Sequence, residues 1–387
     1  MTWVRRTRRL RLSVLAGAIA IAVVSVGGSN STVHHEDPAS RRLSLDCLPF
    51  TPPQDIDELN AQIARYRSVP GFGGADVGAD VTLSDGRSLW VFGDTLREAG
   101  SPGQRFVRNS MLLFSPGCAT VVTPTDHGAV VPDRTDGVGY WPMDLGVVEE
   151  PGYDLVGVSL QRVRSTGSGP FDFELLGPAI ALFRIPPGAA PQLELVRDLG
   201  PDDVDTERPM WGAAVETVGD AVYIYGTAQP NDHSAFGWSL QVARAPIDRV
   251  TDPTSWRYWD GHRWQRDPTR AAVLVPAVKG VSEVLSVFHR GQRWYAVSKR
   301  DEMLGTDLVI WSAPSPTGPF VPGPALAKIP SDSSDGVLRY MPLAHPDLLP
   351  SSTSIVVSYS RNTADLHRLL EHPGLYRPRF LQVPLPQ

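Results

Sequence analysis

The sequence predicts an all-β fold, a five-bladed β-propeller. Three observations point there. With 35 Gly and 36 Pro among 387 residues, long helices have little room and loops must be many. A two-stranded hairpin with polar or acidic residues at its open end recurs five times. The returning strands of these hairpins end near Asp94, Ser159, Thr227, Ser298 and Ser360, at spacings of 65, 68, 71 and 62 residues. Units of three to four strands at a near-constant period read as propeller blades.

The chain begins with a targeting segment, 1–28. Five arginines (Arg5, Arg6, Arg8, Arg9, Arg11) precede a fifteen-residue apolar run at 12–26. That length suits a signal-peptide core better than a membrane span. Two outcomes stay open: cleavage near 26–28, or retention as an N-terminal anchor. Removing a leader that carries five arginines and no acid takes the net charge from −6 to −11. So acidic a mature chain is a poor general partner for nucleic acid or anionic lipid. Residues 29–48 are polar and are expected to be extended or disordered. Cys47 and Cys118 are the only cysteines. In an exported chain they are expected to form one disulfide.

A helix is predicted over 55–68 from the spacing of Ile56, Leu59, Ile63 and Tyr66. The propeller domain as a whole runs over 49–387. Its first hairpin joins strand 76–83 to strand 88–94 through Asp85-Gly86, a pair that accepts the positive φ of a tight turn. Centred there, the register sets Asp76 opposite Thr95 and Val77 opposite Asp94. The later hairpins are 140–148 with 154–160, 210–216 with 221–227, 280–287 with 293–298, and 340–348 with 354–360. One or two further strands follow each: 110–115, 179–185, 239–245, 307–313 and 380–385. The Pro- and Asp-rich stretch 186–209 reads as a long loop, and no linker marks a second domain.

In a propeller the first strand of each blade lines the central channel. The repeat therefore gathers Asp76, Asp94, Asp144, Glu283 and His345 on one face, with Tyr140, Trp141, Trp211 and Tyr340 beside them. Asp76 and Asp94 sit at the same end of one hairpin. Two carboxylates about 5–10 Å apart are the apparatus of glycoside hydrolysis, and aromatic faces stack on sugars. Asp76, Asp94 and Glu283 are thus the candidate catalytic acids. Asp144, Tyr140, Trp141, Trp211, His345 and Tyr340 are candidate substrate-binding residues. Each also has an ordinary structural use: an Asp caps loop N–H groups, a His before Pro is a core residue, and a Trp packs between blades. Trp90 and Trp294, at mid-strand, read as packing residues. The sequence has no phosphate-binding loop, no H-E-x-x-H, no G-x-S-x-G and no spaced Cys/His cluster. No cofactor and no metal are expected from its motifs.

Four phrases carry a family resemblance: DGRSLWVFGDTL, SWRYWDGHRW, APSPTGPF and the ending VSYSRNTAD…YRPRF. From about residue 71 onward the chain resembles exported actinobacterial proteins of domain-of-unknown-function family 4185. Part of that family is classed as glycoside hydrolase family 183, endo-acting D-arabinanases. The resemblance implies a five-bladed propeller similar to the arabinanases of glycoside hydrolase family 43. It implies acids of the first blade, matched here by Asp76 and Asp94. In the family 43 pattern Asp76 and Asp144 match the base and the pKa-modulating acid. The general acid of that pattern belongs to the third blade. Here the best-placed glutamate, Glu283, is in the fourth, and Glu216 of the third lies deeper along its strand. Two functions follow as expectations. One is an exported hydrolase of arabinofuranose-containing cell-wall polysaccharide; the other is a non-catalytic propeller that binds glycan or scaffolds the envelope. A lyase, or an enzyme using a metal in the channel, is a weaker third.

Overall fold

The computed structural model describes residues 43–65, 71–167, 172–231, 235–331 and 336–386. The leader and the polar stretch to residue 42 lie outside the described residues. Among the described residues no helix is long and apolar enough to cross a membrane.

Five antiparallel sheets follow one another around an axis, each contacting the next and the fifth contacting the first. Their innermost strands are Gly74–Thr82, Gly139–Glu150, Met210–Val218, Ser286–Arg290 and Leu338–His345. Each pairs outward with a returning strand: Ser88–Leu96, Tyr153–Ser165, Ala221–Ala228, Arg293–Lys299 and Ser354–Asn362. The predicted five-bladed propeller is therefore the fold. Its largest buried cluster runs through all five blades, from Val77 and Val91 through Val158, Ala214 and Val287 to Leu343. Burying a side chain of that size contributes roughly 1.5–3 kcal/mol relative to leaving it exposed.

Sequence chemistry explains the elements. Leu83 N donates to Arg87 O at 2.7 Å and Gly86 N to Leu83 O at 2.9 Å, closing the first turn. Gly86 sits at φ +81°, where a Cβ would be strained. The helix is Ile56–Arg65, shorter than the 55–68 expected. Asp55 Oδ1 accepts Glu58 N at 2.8 Å while Glu58 Oε2 accepts Gln54 N at 2.9 Å, a reciprocal cap that starts the helix.

Three expectations change. The end of the 29–48 stretch forms strand Leu43–Phe50, the outer edge of blade 1, because it finds Gly117–Pro124 as a partner. The stretch read as a loop at 186–209 contains strand Gln192–Asp198, the outer strand of blade 2. Leu193 is buried there, which offsets the polar flanks. The inner strand of blade 4 starts at Ser286, not at 280. Its predicted beginning is committed to blade 3 instead, since Trp238 and Val281 exchange backbone hydrogen bonds at 2.9 and 3.0 Å.

A recurrent stitch joins neighbouring blades. A hydroxyl of a returning strand bonds the backbone in, or just before, the inner strand of the next blade. Ser159 Oγ donates to Gly212 O at 2.7 Å, Thr227 Oγ1 to Glu283 O at 2.7 Å, and Ser360 Oγ accepts Val77 N at 2.9 Å. Each such bond contributes about 0.5–1.5 kcal/mol. At the corresponding place in blade 1 stands Asp94. The ring closes between blades 5 and 1 without a shared strand. Asn60 of the helix holds the Phe380 backbone by two bonds, at 2.9 and 3.0 Å. The Arg377 guanidinium takes the carbonyls of Gly73, Ile63 and Ala64.

Candidate active site

The first hairpin carries the two acids at its bulge. Ala75 pairs with Thr95, Val77 with Phe92 and Ala79 with Val91. The expected register of Asp76 opposite Thr95 is off by one from the turn onward, where Thr82 pairs with Ser88, and the two irregularities between 75 and 79 cancel each other. Val77 adopts φ +64°, unusual and strained for a β-branched residue. The bulge turns Asp76 inward, beside Asp94. A Cβ at Gly93 would lie 2.5 Å from Asp76 Oδ1, so only glycine leaves room for that carboxyl.

The two acids have different surroundings. Asp76 has no exposed surface. Its Oδ2 accepts the Tyr340 hydroxyl at 2.9 Å, and the Tyr376 hydroxyl faces the same carboxyl. Burial, and then the charge of Asp94, push Asp76 up to about 8. The phenols of Tyr340 and Tyr376, both fully buried beside it, are raised well above the ordinary tyrosine value by burial, so they stay protonated. Asp94 keeps 5% exposure. It accepts the Trp141 indole N–H at 2.8 Å, and Arg108 Nη1 lies 3.9 Å away. The Arg108 guanidinium also sits 5.9 Å from the centre of the Trp141 ring. Two acids at one place, one holding a proton near neutral pH and one surrounded by donors, can divide acid and base roles.

Glu283 is fully buried, three residues before the inner strand of blade 4. Its Oε1 accepts the Gln161 amide at 2.5 Å. Gln161 belongs to blade 2, and Glu283 lies in the segment before the inner strand of blade 4 that packs on blade 3, so the bond ties blade 2 to that segment. Burial, with Glu302 adding, pushes Glu283 up to about 8. Asp144 links blade 2 to blade 3: its Oδ2 accepts Val215 N at 2.8 Å and its Oδ1 accepts Leu145 N at 2.9 Å. Burial pushes it up to about 8 against the pull of those two donors.

The remaining candidates divide. Trp141 and Tyr340 touch the acids as described. Tyr140 does not; its hydroxyl bonds Asp198 at 3.0 Å, within a lattice of Arg134, Arg162 and Asp202 that fixes the outer part of blade 2. Trp211 is packed inside blade 3, over Gly226 and 5.1 Å from Tyr258. His345 is a core residue: Nδ1 meets Asp80 Oδ1 at 2.5 Å, Nε2 meets Ser358 Oγ at 2.8 Å, and the ring stacks on Trp90 at 4.9 Å. Trp90 and Trp294 are buried, as expected. Arg108, Gln161, Tyr376 and Glu302 were not singled out from the sequence. Of these only Tyr376 carried a signal, as the tyrosine of YRPRF.

Among the described residues no group of three or more His, Cys, Asp or Glu is placed to hold a metal ion. An apolar cavity of about 320 Å³ lies elsewhere, between the helix and blade 1, walled by Phe72, Trp90, Phe92 and Phe114.

A family model described as "Domain of unknown function (DUF5005)" matches residues 58–384. No curated protein matches the chain by sequence. Among solved structures, a provisionally assigned hydrolase of Bacteroides ovatus ATCC 8483 is 20% identical, with a TM-score of 0.61. The match covers 88% of this chain and 93% of that one, and it shows the same fold. A GH43_1 enzyme of Xanthomonas citri in complex with xylose is 13% identical over 85% of this chain and 93% of its own, at a TM-score of 0.46. An α-L-arabinanase mutant of Cellvibrio cellulosa is 12% identical over 81% and 92%, at 0.43.

Proposed function

The chain belongs to the DUF5005 family, and we propose that this member is an exported glycoside hydrolase acting on arabinofuranose-containing cell-wall polysaccharide. The observation that carries the reading is the Asp76–Asp94 pair: two acids beside one bulge, one without exposed surface, the other with an exposed edge and an indole N–H donor. Asp94, the one with an exposed edge, serves as base or nucleophile. Asp76, behind it, holds the proton to be donated, with Glu283 the other candidate donor. Trp141 and Arg108 stabilise negative charge on Asp94, and Tyr340 orients Asp76. The substrate class rests on the resemblance to family 4185 and its family 183 members, carried by the four phrases quoted above.

Export rests on the arginine-rich leader. The Cys47–Cys118 disulfide is part of the same proposal. The backbone register supports it: Cys47 is opposite Thr120 and Cys118 opposite Pro49, two positions apart on one strand pair.

The second reading is a non-catalytic glycan-binding or scaffold propeller. It draws on the burial of Asp76 and Glu283, neither of which has exposed surface. Incubating the exported domain with purified arabinogalactan and separating the products distinguishes the two. New oligosaccharides that disappear with Asp94→Asn support hydrolysis. Retention of intact glycan without fragments supports the binding reading.

A further inference from the structure

A second buried carboxyl pair stands at the channel, Glu283 with Glu302. Glu302 opens the one-turn helix Glu302–Leu304 at φ +47°, directly after Asp301 at φ +61°. Two successive non-glycine residues in the left-handed region cost roughly 1–2 kcal/mol each, so the surrounding structure holds Glu302 there against strain. Its Oε2 accepts Glu283 N at 3.0 Å, and the Met341 N–H and Ser282 hydroxyl face the same carboxyl. Met341 follows Tyr340, whose hydroxyl holds Asp76. On the other side, Glu283 takes the amide of Gln161. Gln161 pairs in register with Trp141, which donates to Asp94. The contacts form a closed circuit around the channel: Asp94, Trp141, Gln161, Glu283, Glu302, Met341 with Tyr340, Asp76, and back to the hairpin of Asp94.

We propose that Glu302 is a positioning residue of this site, holding Glu283 against Gln161 and, through the Met341 backbone, the Tyr340 hydroxyl on Asp76. The inference rests on the hydrolase reading above and adds to it a residue that does not touch substrate. One buried oxygen marks the pair as more than a structural clip: Glu283 Oε2 lacks a hydrogen-bond partner, while the Glu302 carboxyl is met by the Glu283 N–H, the Ser282 hydroxyl and the Met341 N–H. A purely structural carboxyl would have both oxygens satisfied. The charged group beside them is the buried Lys299, whose Nζ donates to Arg339 O at 2.6 Å and Ser331 Oγ at 3.1 Å. Burial raises both carboxyls and pulls Lys299 down to about 8, with Glu302 raising Lys299 and Arg339 lowering it.

The test uses the full exported chain with glutamate labelled by ¹³C at its carboxyl carbon, and the variant Glu302→Gln. Glu283→Gln identifies the Glu283 resonance. Removing the Glu302 charge should move the Glu283 midpoint downward. With an active enzyme, kcat should fall ~10- to 100-fold at little change in KM, with the alkaline limb of the pH profile shifted to lower pH. If wild type cleaves no glycan, the hydrolase reading fails while the titration still tests the pairing. An unmoved Glu283 midpoint together with unchanged kcat overturns the proposal. If Glu302→Gln does not fold, Ser282→Ala is read instead: loss of that hydroxyl should raise the Glu302 midpoint, and a fixed midpoint overturns the proposal equally.

Discussion

The Trp141 indole N–H donates to Asp94 Oδ1 at 2.8 Å, and this bond joins blade 2 to blade 1 at the level where Ser159, Thr227 and Ser360 join other blades. A hydroxyl suffices for a stitch. Placing a carboxylate there instead costs desolvation, which needs a compensating use. Asp94 is therefore the place where the repeat departs from its own pattern.

Asp94→Asn should lower glycan cleavage at least about a hundredfold, roughly 3 kcal/mol of transition-state stabilisation, with the fold unchanged. Asp76→Asn should lose at least as much, since Asn cannot donate an acidic proton. Initial rates on arabinogalactan, with circular dichroism as the folding control, check both. Full activity in either variant removes that residue from the mechanism.

Stability should carry the mark of Asp76. Its folded value of about 8 stands above the ordinary 3.8. Between those values the folded chain keeps a proton that the unfolded chain has lost, so stability falls as pH rises from about 4 to about 8. Asp76→Asn removes this dependence. The variant should melt with wild type near pH 4 and above it at pH 8–9, by up to a few kcal/mol. Equal melting at both ends means that the carboxyl is ionised in the folded state.

Trp141→Phe keeps the ring and removes the N–H. A buried carboxylate that loses a donor is expected to cost about 1–3 kcal/mol. Turnover should drop about tenfold or more while KM changes little; a variant that loses only affinity would make Trp141 a sugar platform.

His345→Gln should act on the fold rather than on the chemistry. It breaks the Asp80 and Ser358 bonds and the stack on Trp90. A loss of about 2–4 kcal/mol in urea titrations is expected, with specific activity of the folded fraction kept. An unaltered urea midpoint with lost activity would return His345 to the site.

Thiol labelling of denatured, unreduced protein should find no reactive cysteine, and two after reduction. Two before reduction would exclude the Cys47–Cys118 bond.

The blades were legible because their signal is periodic: turn chemistry at Asp85-Gly86, alternation in the strands and a near-constant repeat. The strand at Gln192–Asp198 escaped because Pro and Asp flank it and its evidence is a single buried position, Leu193. Asp76 and Asp94 could be paired because one hairpin holds both. Tyr140 and Trp211 were misplaced for the opposite reason. The repeat fixes where their backbones stand, while neighbouring packing decides which way a large side chain turns. Glu302 was illegible because Lys-Arg-Asp-Glu reads as an exposed charged turn, and only the contact with Glu283 shows it to be buried.

The joint between blades 5 and 1 has one further consequence. Among the described residues no hydrogen-bonded strand crosses it, and the first and last strands are both outermost, one on blade 1 and one on blade 5. The joint is held by side chains: Tyr340 to Asp76, Ser360 to Val77, His345 to Asp80, and the Asn60 and Arg377 clamps. The first of these is also a contact of the proposed proton donor. The proposed acid and the molecular clasp thus share one carboxyl. Ionising Asp76 adds charge at the seam through which the ring would open, so amide exchange of blade 5 should quicken with alkalinity beyond the base catalysis that all amides share. Mending that seam with a covalent link between the two outermost strands' blades would separate the wear of the clasp from the work of the acid.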